Sequence, residues 1–119
     1  MEKVNLAEKF SRFDELWSPR LAGDVNDHAV KLVKIRGEFV WHHHENEDEL
    51  FFVVRGSMRL RFRDRDVILG ENEFLVVPKG VEHMPVADEE AWILLFEPKE
   101  TLNTGNLTNA RTVASPKTI

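Results

Sequence analysis

The clearest pattern in the chain lies at Ser57–Arg63, where Met58, Leu60 and Phe62 alternate with Arg59, Arg61 and Arg63. A period of two puts one set of side chains on a buried face and the other in water, which is the signature of a strand. Comparable stretches surround it at Val30–Ile35, Phe39–His44, Leu50–Val54, Val67–Leu69, Phe74–Val77, His83–Ala87 and Ala91–Phe96. Turn-forming residues separate them, at Gly37, Arg55-Gly56, Asp64-Arg65-Asp66, Gly70-Glu71-Asn72, Pro78-Lys79-Gly80 and Asp88-Glu89-Glu90. Short strands at a spacing of roughly 8–12 residues, with no room for helices between them, predict an all-β barrel or sandwich rather than a parallel α/β sheet. Upstream, residues 6–17 have helical spacing. Phe10, Phe13 and Leu16 or Trp17 share a stripe, Asn5 and Glu8 make a capping box, and Ser18-Pro19 ends the helix. The chain thus divides into a helix and lead-in (1–28), a strand-rich body (29–98) and a Thr- and Asn-rich segment (99–119), either an arm on the body or a frayed end.

Composition narrows the class. The 119 residues suffice for one domain with its own core. Without cysteine there are no disulfides, thiolate ligands or thiol nucleophiles, which fits a reducing compartment. A net charge of -5 is a poor electrostatic partner for nucleic acid or anionic lipid. No apolar run approaches the ~20 residues of a membrane span, and residues 1–10 lack the unbroken apolar core of a signal peptide. The expectation is a cytoplasmic protein with no nucleic-acid or membrane partner.

The candidate chemistry sits where strands begin and end. On a strand, His42 and His44 share one face and His43 takes the other. A hairpin return brings Glu49 beside them, and His83 starts a strand after the Pro78-Lys79-Gly80 turn. Three imidazoles and a carboxylate form a nitrogen- and oxygen-rich set suited to a divalent first-row metal.

In these residues the sequence resembles the cupin superfamily. Gly37, His42-x-His44, four residues, Glu49, six residues and Gly56 follow that family's first motif. Pro78-x-Gly80, two residues and His83 follow its second, and fifteen residues, 57–71, lie between the two. The resemblance covers residues 30–97. Gly37 is one residue closer to the histidines than the motif has it, Asn72 stands in place of a glycine, and Ala87 in place of a final asparagine. Asparagine is the best substitute for glycine in a left-handed turn. The resemblance implies a small, single-domain double-stranded β-helix (jelly-roll) barrel. It further implies one ion of Mn, Fe, Ni or Zn on His42, His44, Glu49 and His83, and a homodimer, for which Leu50, Phe52 and Val54 offer an apolar second face.

Parity with the ligands and with the alternation turns Val40, Phe51, Val53, Met58, Leu60 and Phe62 inward. Most of these are core, and Phe51, Met58, Leu60 and Phe62 are the expected lining of a cavity beside the metal. His28 reads as a surface residue, His43 as a solvent or interface histidine, the acids Glu45, Glu47 and Asp48 as a solvated loop face, and Arg59, Arg61 and Arg63 as an outer surface or subunit contact. An apolar cavity with one metal suits a small oxygenated ligand that chelates through two oxygens. The chain has no Tyr and no Cys, so it departs from the cupin epimerases with a His/Tyr pair and from the thiol dioxygenases with a Cys–Tyr crosslink. Two classes remain. One is a metal-dependent oxygenase or sugar-type isomerase, with Glu49 as a catalytic ligand that loosens to accept a proton. The other is a non-catalytic, metal-anchored binding module for a small molecule. No acid or base beyond the ligands stands out, which weighs against the enzyme.

Overall fold

A computed structural model describes all 119 residues. One helix, α1 (Leu6–Phe10), precedes eight strands: β1 (Arg20–Val25), β2 (His28–Glu38), β3 (Glu49–Arg55), β4 (Met58–Phe62), β5 (Asp66–Leu69), β6 (Phe74–Val77), β7 (His83–Pro98) and β8 (Lys117–Thr118). β2 and β7 run antiparallel down the middle; β7 also pairs with β4 through its first half and with β3 through its second. β5 extends the sheet beyond β4, β6 beyond β3, and β1 with β8 beyond β2. This is the jelly-roll arrangement of an all-β fold, and its ladder bends without closing.

The bend places the site. β3 and β4 follow one another through Gly56-Ser57 yet do not pair, so they lie in facing layers. β7 crosses from one layer to the other at Asp88-Glu89-Glu90, three exposed residues between the pairs Ala91–Ile35 and Ala87–Gly37. Gly56 fits this corner with φ +84°, where a Cβ would meet the Glu90 carbonyl oxygen at 3.3 Å. Drawn straight, β7 from His83 to Glu97 would run about 46 Å, more than the molecule's longest extent of 41 Å. Between the layers, Val33, Ile35, Phe51, Val53, Met58, Leu60, Ile93 and Leu95 belong to one buried cluster. Phe10 and Phe13 cover Leu32 on the outer side of β2.

Several elements differ from the sequence expectation, each for a physical reason. The helix stops at Phe10 instead of residue 17. Asn5 caps it, its Oδ1 accepting the Glu8 N–H at 3.0 Å, but the Glu8 carboxylate takes Arg12 at 2.6 Å instead of closing the box. Trp17 has φ +56°, outside helical space. Its N–H donates to Lys34 O at 2.8 Å and its indole to Arg36 O at 2.9 Å, and these tertiary bonds outweigh helix propensity. Residues 39–44 are extended but are no strand, with a single bridge between His42 and His83. Phe39 donates to Pro85 O, and proline has no N–H to return, so the ladder breaks there. His83–Ala87 and Ala91–Phe96 are one strand, β7, because the acidic trio is a bulge. Residues 99–119 form an arm packed on the body, with Thr104 fully buried and β8 paired to β1. Asn72 takes the left-handed conformation, φ +68°, that its place in the turn requires.

Candidate metal site

Glu49 is the first residue of β3 and His83 the first of β7. His42 and His44 lie on the extended 39–44 segment. That segment is tied by His42 N–H to His83 O (3.0 Å), His83 N–H to His42 O (2.9 Å) and Gly80 N–H to His44 O (2.7 Å). Alternation holds on this irregular backbone: His42 and His44 are buried, while His43 turns away with its Nε2 3.7 Å from Glu45. One ligand atom from each of His42, His44, Glu49 and His83 lies within 4.8 Å of all the others. His44 Nε2 and His83 Nε2 are 3.2 and 3.5 Å from Glu49 Oε1. Donors bound about 2.1 Å from one ion stand about 3 Å apart when adjacent and about 4.2 Å when opposite. The cluster is therefore close to coordination spacing.

The donor atoms are also unsatisfied. His44 Nε2, His83 Nε2 and Glu49 Oε1 are buried without a hydrogen-bond partner. Native proteins seldom leave buried polar atoms so, and a cation among them meets all three. The Nδ1–H groups of His42 and His83 donate to Val40 O and Val81 O, each at 2.9 Å, which leaves both Nε2 lone pairs free. Burial, and then the neighbouring His83, push the His42 imidazole down to about 4, so it is neutral and able to ligate at neutral pH. Burial alone would raise Glu49. The Glu97, His44 and His83 side chains that crowd its oxygens reverse that and hold its carboxyl well below the ordinary range.

The structure adds a residue that the sequence pattern does not single out, Glu97. It faces inward on β7 after Ala91, Ile93 and Leu95, and it neighbours Glu49 because Leu50 pairs with Phe96. Its Oε2 accepts Lys31 Nζ at 2.9 Å, and Lys31 also donates to Thr101 O at 3.1 Å. Both side chains are buried. Burial, then the charge on Glu49, push the Glu97 carboxyl well above the ordinary range, against the opposing pull of Lys31. The available signal was a charged residue in each of two apolar inward rows, Ala29-Lys31-Val33-Ile35 and Ala91-Ile93-Leu95-Glu97.

Beside the cluster is a narrow cavity of about 40 Å³, room for about three waters. Its ionisable wall is His42 and Glu49, set among apolar side chains. Of the expected lining, Phe51 and Met58 face it. Leu60 does not, being fully buried in the core. Phe62 does not either; it ends β4 with its ring centroid 6.5 Å from that of His83. Trp17 and Phe39 complete the wall, stacked 4.7 Å apart, with Asn103 of the arm.

A family model described as the cupin domain matches residues 30–96. The uncharacterised protein YdbB of Bacillus subtilis is 44% identical over 61 residues, spanning 50% of this chain and 54% of that protein, so the match covers about half of this curated relative. A cupin-2 domain protein from Shewanella frigidimarina superposes with a TM-score of 0.80 at 48% identity, covering 81% of this chain and 94% of that one. A protein from Neisseria meningitidis gives a TM-score of 0.76 at 31% identity, covering 82% of this chain and 100% of that one. No helix is long and apolar enough to cross a membrane.

Proposed function

This chain belongs to the cupin domain family, and from that premise we propose that it is a metal-dependent enzyme acting on a small oxygenated metabolite, an oxygenase or a sugar-type isomerase. One observation carries the reading: four donor atoms close to coordination spacing, three of them buried and unpartnered. A divalent first-row ion (Mn, Fe, Ni or Zn) on His42, His44, Glu49 and His83 would supply a Lewis acid with one or two positions open to substrate oxygens.

The chain's own residues do the rest. Phe51, Met58, Ile93 and Leu95 exclude bulk water and accept an apolar body. With only His42 and Glu49 ionisable along the wall, a ligand is held by chelation rather than by an ion pair. Glu49 accepts or returns the substrate proton, and Glu97, buried beside it on β7, places a second carboxyl next to it. That second acid favours catalysis over binding alone.

Protein purified without added metal should contain about one divalent ion per chain by elemental analysis, and His44→Ala should lose it with its circular dichroism intact. Loaded protein should consume oxygen or form product with a panel of enediols, dicarbonyls and hydroxy acids. Tight binding without turnover assigns the chain to the binding-module class instead. We also propose a homodimer through the outer face of β3 and β6. There Phe74 and Val76 are 59% and 43% exposed beside half-buried Leu50 and Phe52. Val54, expected on that face, packs instead against the cluster of Phe10, Phe13 and Leu32. Sedimentation at the mass of a single chain would reject the dimer.

A further inference from the structure

The segment that carries two of the four ligands has a sheet neighbour only at His42. Along an extended chain, successive residues direct their backbone groups to opposite edges. His42 uses the β7 edge, so His43 presents its N–H and C=O to the other, where there is no strand. One residue of the arm meets both groups. His43 N–H donates to Asn106 Oδ1 and Asn106 N–H donates to His43 O, each at 2.9 Å.

The preceding residue fits more tightly still. A Cβ added at Gly105 would run into the His43 carbonyl oxygen and lie 2.9 Å from His42 Cδ2 and 3.0 Å from the His43 carbonyl carbon. Gly105 also holds φ +57°, so both its space and its backbone favour glycine. The arm's turn is anchored on its own account. Buried Thr104 donates its hydroxyl to Leu107 O at 2.7 Å. The Asn103 side chain donates to Arg111 O at 2.7 Å and accepts from Val113 N–H at 2.8 Å. Lys31 fastens Thr101 O.

We propose that Gly105 and Asn106 are positioning residues for the metal site, with the arm standing in for a missing strand along His42–His44 and fixing the aim of both imidazoles. The inference rests on the metal reading of the site. The arm lies outside the segment that matches the family model, residues 30–96, so the device adds to the matched core.

The test is a Co²⁺ titration of wild-type, Asn106→Ala, Asn106→Asp and Gly105→Ala proteins. Affinity is read by calorimetry, coordination by the visible absorption bands, and metal-free unfolding serves as control. Asn106→Ala should bind about 10- to 100-fold more weakly, the range for losing an outer support. Its bands should shift, with an unfolding change too small to account for the loss. Asn106→Asp keeps an acceptor for the His43 N–H and should recover most of the affinity and the spectrum. Gly105→Ala should lose at least as much as Asn106→Ala, and if it does not fold the Asn106 pair decides. Wild-type affinity and spectrum in Asn106→Ala, or equal loss in both Asn106 variants, overturns the inference. Wild-type protein that binds no Co²⁺ overturns the metal reading, and the inference falls with it.

Discussion

The four candidate ligands stand on two kinds of backbone. Glu49 and His83 open regular strands, where cross-strand pairs with Val77 and Phe62 fix their direction. His42 and His44 stand on a segment outside the named strands, held by one bridge, the Gly80 turn and the arm. A sheet orients a side chain only where its strand has neighbours. Where the neighbour is missing, the same precision has to come from loop and terminal contacts. Half of this site is thus a property of the fold, and half depends on residues 63 positions away in the chain.

Removing a donor from either half should be equally fatal. His44→Ala and Glu49→Ala should each lower metal affinity, read by calorimetry, by more than the roughly 100-fold that an outer partner can cost. A variant that still loads normally would remove its half from the site. Within the regular half, Glu97→Met leaves Lys31 buried against the Thr101 carbonyl alone. It should lower urea stability by about 3–5 kcal/mol; a loss below about 1 kcal/mol would show that the pair is not a buried charge contact.

Within the irregular half, His42 makes the metal-free protein sensitive to acid. Its folded value of about 4 lies below the ordinary 6.5. Between these, the unfolded chain binds a proton that the folded chain refuses, so stability falls as pH drops through that window and not below it. The span corresponds to about 3 kcal/mol. Urea midpoints from pH 7 to 4 should show the slope, and His42→Asn should remove most of it; an unchanged slope in that variant rejects the assignment. Far from both halves, Asn72→Ala should cost about 1 kcal/mol for its left-handed backbone and leave metal affinity untouched, whereas Asn72→Gly should be near neutral. A change in affinity there would mean that the two halves are coupled through the whole sheet.

The legibility of the sequence follows the contrast between faces. His42, His44, Glu49, Phe51 and Met58 could be aimed because alternation has one dry and one wet side. Glu97 and Lys31 escaped because Ala91–Phe96 is apolar on both faces and parity there has no contrast. Asp88-Glu89-Glu90 has the composition of a turn, and only the partner strand shows that it is a bulge. Trp17 leaves the helix because of carbonyls at Lys34 and Arg36, which no local window contains. The arm has no hydrophobic period at all. Its hold consists of a glycine and side-chain amides, whose meaning depends on what lies opposite.

The bent course of β7 has a mechanical consequence. His83 at one end and Glu97 at the other both reach the carboxylate of Glu49, so the strand works like a pair of tongs hinged at Asp88-Glu89-Glu90. The His83 jaw is five residues long and the Glu97 jaw seven, or about 17 and about 23 Å. At those radii a rotation of about 5° at the hinge displaces a jaw tip by about 1.5–2 Å, and an error of about 1 Å in such a constellation is enough to cost about 10²-fold in rate. Substitutions at the remote corner, where Gly56 nests against Glu90, would therefore be felt at the jaws.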